Sequence, residues 1–201
     1  MDKVKIMIAI PTLDYIHYRF VESLTNMEKR MEENGIEYDV VFKGGTLVYM
    51  SRNLLVQDAI FRDYTHVLWL DADMVFEPDL YEKLLATEKE FVTGLYRARH
   101  GQMRPLVLDD LYSNHRIDPW PKEIFEIVGC GMGCCLTTTT LLRNVFMEYG
   151  DPFTPTPRLG EDYAFCERVD KYGYTMYCEP NAECAHIIQE ELWPDMSKKS
   201  I

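Results

Sequence analysis

Asp71 and Asp73 stand one residue apart at the end of an apolar run, His66 to Leu70. Two carboxylates at that spacing make a hard-oxygen cluster suited to Mg²⁺ or Mn²⁺, a cation that keeps open positions for diphosphate oxygens. A D-x-D by itself suits a solvated turn equally well. The strand in front of it favours chemistry: a continuous apolar run fits a central strand covered on both faces, and ligands of open α/β sheets bind beyond the carboxyl ends of such strands. A second acidic pair, Glu161 and Asp162, follows Gly160 at the start of a helical stretch. The helix dipole would stabilise any carboxylate there, and a carboxylate in reach of an acceptor hydroxyl can also take its proton. Arg52, near the start of another helix, carries a fork of donors that matches a diphosphate and equally suits a surface salt bridge.

Other residues qualify by type. Gly129, Gly131 and Gly133 alternate, and on a strand three missing side chains on one face leave room for a sugar or acceptor; a bulge or tight packing would use them too. Their spacing is not the G-x-G-x-x-G of a dinucleotide site. Trp120, between Pro119 and Pro121, is either a platform for a stacked sugar or an anchor for its loop. His186 closes the last strand-like segment, where a neutral imidazole suits Mn²⁺ or a plain structural role.

The elements that position these residues follow from periodicity. Lys3 to Ile10, Tyr38 to Phe42, His66 to Leu70 and Phe91 to Gly94 read as strands. Between them, Phe20, Leu24, Met27 and Met31 recur at helical spacing, Met50 to Phe61 reads as a helix, and Pro78 opens a third helix at its first turn. The order β-α-β-α-β-α-β implies a doubly wound, mostly parallel sheet. The second half is less regular. Gly101 to Pro121 is a long excursion, and Ile124 to Leu136 is strand material broken by glycines. Thr137 to Tyr149 and Glu161 to Tyr172 are helices flanking a proline-rich loop, and Met176 to Cys178 and Glu183 to Ile187 are two short strands. Gln189 to Ile201 is a polar, mobile tail.

The 201 residues carry 21 basic and 33 acidic side chains, a formal net charge of −12. Phosphate backbones and anionic lipid heads are repelled by such a surface, so nucleic acid and membranes are poor partners, whereas a nucleotide can bind through a divalent cation. No apolar run is long enough to span a bilayer, and the N-terminus reads as a strand rather than a leader. The six cysteines show neither C-x-x-C nor zinc spacing, which suits reduced, buried thiols and a cytoplasmic setting.

Four segments, in order, carry a resemblance. VLWLDADMVFEPDLYEKLL (Val67 to Leu85) resembles the core of the GT-A glycosyltransferases, especially family-2-like members. MSRNLLVQDAI (Met50 to Ile60) resembles that family's arginine-bearing helix, VGCGMGCCL (Val128 to Leu136) its acceptor-side glycine segment, and GEDYAFCERV (Gly160 to Val169) its E-D helix start. The resemblance covers about Lys3 to His186. It implies a GT-A-like α/β fold with a Rossmann-type sheet and a smaller irregular or antiparallel acceptor-side portion. One domain would span 1–188, with 1–100 binding the nucleotide sugar and 101–188 the acceptor.

The implied chemistry is transfer of a sugar from a UDP- or GDP-sugar to a glycan or other hydroxyl, with Mn²⁺ or Mg²⁺ and with inversion. Carried over by position, Asp73 is the direct metal ligand. Asp71 holds ribose or reaches the metal through water, and His186 is a further ligand. Thr12 and Asp14 face the base or ribose, and Arg52 the diphosphate. Gly131, Gly133 and Trp120 line the acceptor side. Asp162 is the base and Glu161 binds acceptor hydroxyls, or the reverse. Two other classes share these features. A sugar-phosphate nucleotidyltransferase needs a glycine-rich basic loop after the first strand, where this chain reads Pro11-Thr12-Leu13-Asp14. A non-catalytic nucleotide-sugar or glycan-binding module would not need Asp71, Asp73, Asp162 and His186 together.

Overall fold

The computed structural model describes residues 3–13, 15–99 and 103–188. The first strand, β1 (Lys5–Pro11), leads through helix α1 (Tyr18–Glu33) to β2 (Glu37–Lys43), then through α2 (Val48–Phe61) to β3 (His66–Leu70). A short strand β4 (Met74–Phe76) and a one-and-a-half-turn helix α3 (Leu80–Leu85) precede β5 (Phe91–Leu95). Then come β6 (Val107–Asp110), β7 (His115–Arg116), β8 (Phe125–Ile127), β9 (Gly129–Cys130), β10 (Cys134–Thr138), α4 (Thr139–Tyr149), α5 (Glu161–Tyr172) and β11 (Met176–His186).

The main sheet runs β2-β1-β3-β10-β5-β11-β4, with β8 beside β11. β1 pairs in parallel with β2 and β3, and β5 with β11. β10 lies antiparallel between β3 and β5, so β2, β1, β3, β5 and β11 all point one way. The sheet is mostly parallel, as the alternation of elements predicts. Its antiparallel insertion has no local signature, because β10 reads as a buried run whichever way it points.

Period-two patterning builds a core on each face. From β1, Met7 and Ala9 face one cluster and Ile6, Ile8 and Ile10 the other; from β3, Val67 and Trp69 divide in the same way from Leu68 and Leu70. On the first face Phe153 packs against Trp69 at 5.2 Å and stacks on Phe165 at 4.2 Å. On the second, α1 buries Phe20, Leu24, Met27 and Met31, the predicted stripe. Asn34 caps that helix, and Gly35 takes φ +67°, which glycine adopts without strain.

Two expectations are corrected, and the antiparallel portion expected in the second half is found. The two short strands near the C-terminal end are one strand, β11; Pro180, which lacks the N–H a ladder needs, falls where the register against β5 shifts between Glu179 and Glu183. Pro78 does not stand in a helical first turn: α3 begins at Leu80 behind Asp79, because Pro78 belongs to the turn leaving β4. The excursion after residue 100 holds a small antiparallel sheet, β7-β6-β9. The tail 189–201 lies outside the described residues. Among those described, no helix is long and apolar enough to cross a membrane, and all six cysteines are free, five of them buried.

Candidate active site

β1, β3, β5 and β11 all deliver their carboxyl ends to one edge of the sheet. There they border a cavity of about 850 Å³ lined by Thr12, Arg52, Asp71, Asp73, Gly131, Glu161, Asp162 and His186, among others. Most of the residues singled out from the sequence therefore meet in one place. Asp14 lies outside the described residues.

Asp71 follows β3 and is fixed by its backbone, its N–H donating to the Gly133 carbonyl at 3.1 Å. A turn closed by the Met74 N–H on the Asp71 carbonyl carries Asp73. The Ile187 N–H donates to the Asp73 carbonyl at 2.9 Å, which locks that turn to the end of β11 and sets His186 beside it. The His186 Nδ1–H donates to the Arg97 carbonyl at 2.5 Å, leaving Nε2 as the acceptor, 4.0 Å from Asp73 Oδ1. An imidazole whose far nitrogen is tied to a carbonyl has the tautomer and orientation of a metal ligand. Asp73 Oδ2 accepts from Arg99 Nη1.

Arg52 lines the same cavity but is engaged with protein partners. Its side chain is only 2% exposed and lies between two carboxylates, Nη1 donating to Asp162 Oδ1 at 2.7 Å and Nη2 to Asp71 Oδ1 at 2.8 Å. It organises the acids rather than presenting a free fork to phosphate. The neighbouring Asn53 accepts from the Phe153 N–H at 2.8 Å, anchoring the loop that leads to α5. Burial lowers the affinity of Arg52 for its proton, but Asp162, Asp71 and Glu161 more than offset this and hold it charged.

Asp162 sits in the first turn of α5, and its Oδ2 accepts from the Met132 N–H at 3.3 Å. Burial pushes its pKa up from 3.8 to about 6; Arg52 pulls it down, while Asp71 and Glu161 push it further up. A carboxylate at that value is ionised at neutral pH yet basic enough to accept a proton. Glu161 lines the same cavity.

The glycines need a different explanation from the one their alternation suggests. Only Gly129 lies on β9; Gly131 and Gly133 belong to the connection into β10. A Cβ on Gly129 would run into Leu111, and one on Gly131 would meet the Tyr96 hydroxyl at 2.5 Å. At Gly133 it would lie 3.2 Å from both Asp71 Oδ2 and Tyr96. The missing side chains admit protein neighbours, chiefly the buried Tyr96, whose hydroxyl accepts from the Gly133 N–H at 2.8 Å. Gly131→Ala is therefore expected to cost about 1–3 kcal/mol by overpacking, read from urea unfolding; an unchanged midpoint would mean that Tyr96 moves aside freely. Trp120 lies off the main cavity. It lines an adjoining cavity of about 350 Å³ that shares Tyr96, Ala98 and His186, and the Arg97 guanidinium sits 5.2 Å over its ring.

Tyr96 and Arg99 were not singled out from the sequence. The available signal was their place just past an apolar strand, in Leu95-Tyr96-Arg97-Ala98-Arg99, at the edge where ligands bind.

Neither a family model nor a curated protein matches the sequence. Solved structures match the fold. A197 from STIV aligns with a TM-score of 0.60 at 19% identity, over 93% of this chain and 86% of that one. The catalytic domain of Drosophila beta1,4galactosyltransferase 7, in complex with xylobiose, aligns at 0.58 and 13% identity, over 92% and 71%. GalNAc-T7 with UDP, GalNAc and Mn²⁺ aligns at 0.57 and 11% identity, over 96% of this chain but 45% of that one. The fold is GT-A-like. At these identities the likeness concerns architecture: a mostly parallel sheet flanked by helices, with a small antiparallel sheet at its side.

Among the described residues no three His, Cys, Asp or Glu side chains converge into a ready-made metal site. Asp73 and His186 supply one carboxylate oxygen and one imidazole nitrogen, 4.0 Å apart, to the wall of the cavity. That donor set suits a cation that takes its remaining ligands from a substrate and water.

Proposed function

We infer that this GT-A-like protein is a glycosyltransferase that moves a sugar from a nucleoside-diphosphate sugar to an acceptor hydroxyl, with inversion. One observation carries the reading. Asp73 and His186, an oxygen and a nitrogen donor 4.0 Å apart, and Asp162, a carboxylate raised to about 6, line one cavity at the carboxyl edge of the sheet. Two GT-A-like neighbours add support: GalNAc-T7 was crystallised with UDP, GalNAc and Mn²⁺, and beta1,4galactosyltransferase 7 with xylobiose.

In this reading Asp73 and His186 hold a divalent cation, with Asp71 beside them. A divalent cation held there, Mn²⁺ or Mg²⁺, would supply the positive charge that offsets what builds on the departing diphosphate. Thr12 stands where the nucleoside would enter, at the end of β1. Asp162 takes the acceptor hydroxyl proton as that oxygen bonds to the anomeric carbon and the carbon–phosphate-oxygen bond breaks. Arg52 keeps Asp162 ionised and aimed, and Glu161, next to it on α5, binds acceptor hydroxyls. Gly131, at the cavity wall, lets Tyr96 approach.

The test is release of nucleoside diphosphate from UDP- and GDP-sugars with Mn²⁺, after a thermal-shift screen for the base that binds. Release of pyrophosphate from a nucleoside triphosphate and a sugar phosphate would identify a nucleotidyltransferase, and donor binding without release a binding module. Asp73→Ala should lose Mn²⁺ binding by calorimetry and at least about a hundredfold in kcat. Undiminished Mn²⁺ affinity in that variant would overturn the assignment of Asp73.

A further inference from the structure

One contact in the cavity has no role in the reading above: Arg99 on Asp73. Arg99 lies beyond β5, on an arm held by the Ala98 N–H on the Arg104 carbonyl at 3.0 Å and the Leu106 N–H on the Tyr96 carbonyl at 3.0 Å. Its side chain is half exposed, and Nη1 donates to Asp73 Oδ2. Asp73 Oδ1 faces His186. The guanidinium thus holds the carboxylate that, on the reading above, a divalent cation would need.

A second observation gives this contact a direction. Among the described residues that line the cavity, Arg52 and Arg99 are the only lysines or arginines. Arg52 is buried with both terminal nitrogens committed, to Asp162 and Asp71. The other ionised side chains on the wall are the carboxylates of Asp71, Asp73, Glu161 and Asp162, in a chain of net charge −12. A diphosphate entering such a cavity needs a cationic side chain, and Arg99 has the exposure and the fork geometry to supply it.

We propose that Arg99 is a resident counter-charge: it occupies Asp73 while the cavity is empty, yields that carboxylate to the divalent cation, and turns to the diphosphate. The inference rests on Asp73 being a metal ligand. An exposed ion pair is weak enough to be displaced, and a phosphate offers the released guanidinium a better bidentate partner. One side chain then enforces the order of loading, since it opposes the cation alone and favours the cation together with the nucleotide. No bond to the sugar is made or broken by this exchange.

The two halves have opposite signs, which makes the test sharp. Mn²⁺ alone is titrated, with free Mn²⁺ followed by electron paramagnetic resonance, into wild type, Arg99→Ala, Arg97→Ala and Asp73→Ala. UDP and GDP are then titrated at saturating Mn²⁺ by calorimetry. Arg99→Ala should bind Mn²⁺ alone more tightly, on the order of fivefold, the factor a displaced surface ion pair is worth at the strong end. It should bind the preferred nucleoside diphosphate more weakly, by about tenfold or more, as loss of a charge-assisted contact implies. Arg97→Ala removes the same charge two residues away without touching Asp73, and should leave Mn²⁺ affinity where it was. Unchanged or weaker Mn²⁺ binding in Arg99→Ala, an equal tightening in Arg97→Ala, or unchanged nucleotide affinity would each overturn the proposal. If wild type bound no Mn²⁺, or Asp73→Ala bound it as well as wild type, the functional reading itself would fall, a result separate from failure of the Arg99 exchange.

Discussion

Asp162→Asn is expected to lower kcat by about 10²–10⁴, the range over which a positioned base acts, while the protein remains folded. Asparagine keeps one oxygen, for Arg52 Nη1, but its amide nitrogen can neither accept from the Met132 N–H, as Asp162 Oδ2 does, nor take a proton. In wild type, kcat/KM should fall as the pH drops through about 6, where Asp162 takes up its proton. The sign for stability is opposite to that for activity. The folded-state pKa lies above the ordinary 3.8, so the folded protein binds this proton more tightly than the unfolded chain. The stabilisation that goes with the proton is complete below about 3.8 and lost as the pH rises through about 6. Asp162→Asn, which never ionises, should therefore lose less stability than wild type between pH 5 and pH 8 while being the less active protein. A variant with full activity, or one whose activity still titrates near 6, would move the base elsewhere, with Glu161 the first candidate.

Arg52→Met has the largest expected effect on stability. It removes a buried cation from between Asp71 and Asp162 and leaves the two carboxylates with no positive charge between them. Breaking a buried pair by removing one member costs about 3–5 kcal/mol, to be measured by urea unfolding near pH 8. Since Arg52 is what pulls the Asp162 pKa down, its removal raises that pKa further. Protonation then relieves the repulsion, so the loss should be distinctly smaller near pH 5 than near pH 8. The acid limb of kcat/KM should also move to higher pH. A stability loss equal at both pH values, with the acid limb unmoved, would reduce Arg52 to a packing residue. Arg52→Lys retains the charge but not the fork that reaches two carboxylates at once, so it should recover part of the stability and little of the activity.

The two variants and the Arg99 exchange describe one arrangement of charge. Four carboxylates line a cavity in an acidic chain, and two arginines hold three of them in different ways. Arg52 is buried, permanently engaged, and sets proton affinity; Arg99 is half exposed and displaceable. Burial makes the difference, because a desolvated pair costs far more to break than one in water.

Local pattern determined a good deal of this protein. The apolar run into Asp71, the stripe Phe20, Leu24, Met27 and Met31 on α1, Asn34-Gly35 at its end and Glu161–Tyr172 as a helix all follow from periods and caps that act within a few residues. Asp71 and Asp73 follow from the same pattern, since ligands bind where parallel strands end, whereas the place of Asp162 and His186 beside them is implied by the family resemblance alone. The tertiary structure decided everything that depends on register and long-range pairing. Arg52 reaches Asp162 across 110 residues and Asp71 across 19, so its choice between a phosphate and two acids is invisible in its own helix. The alternating glycines promise empty space in sequence, but the fold fills that space with Leu111 and Tyr96. β10 enters antiparallel, and β11 runs through Pro180 at a register shift. The physical reason is common to all of these. A period records which face of an element is buried, whereas a contact between distant elements is fixed only when the sheet closes and its loops have lost their freedom.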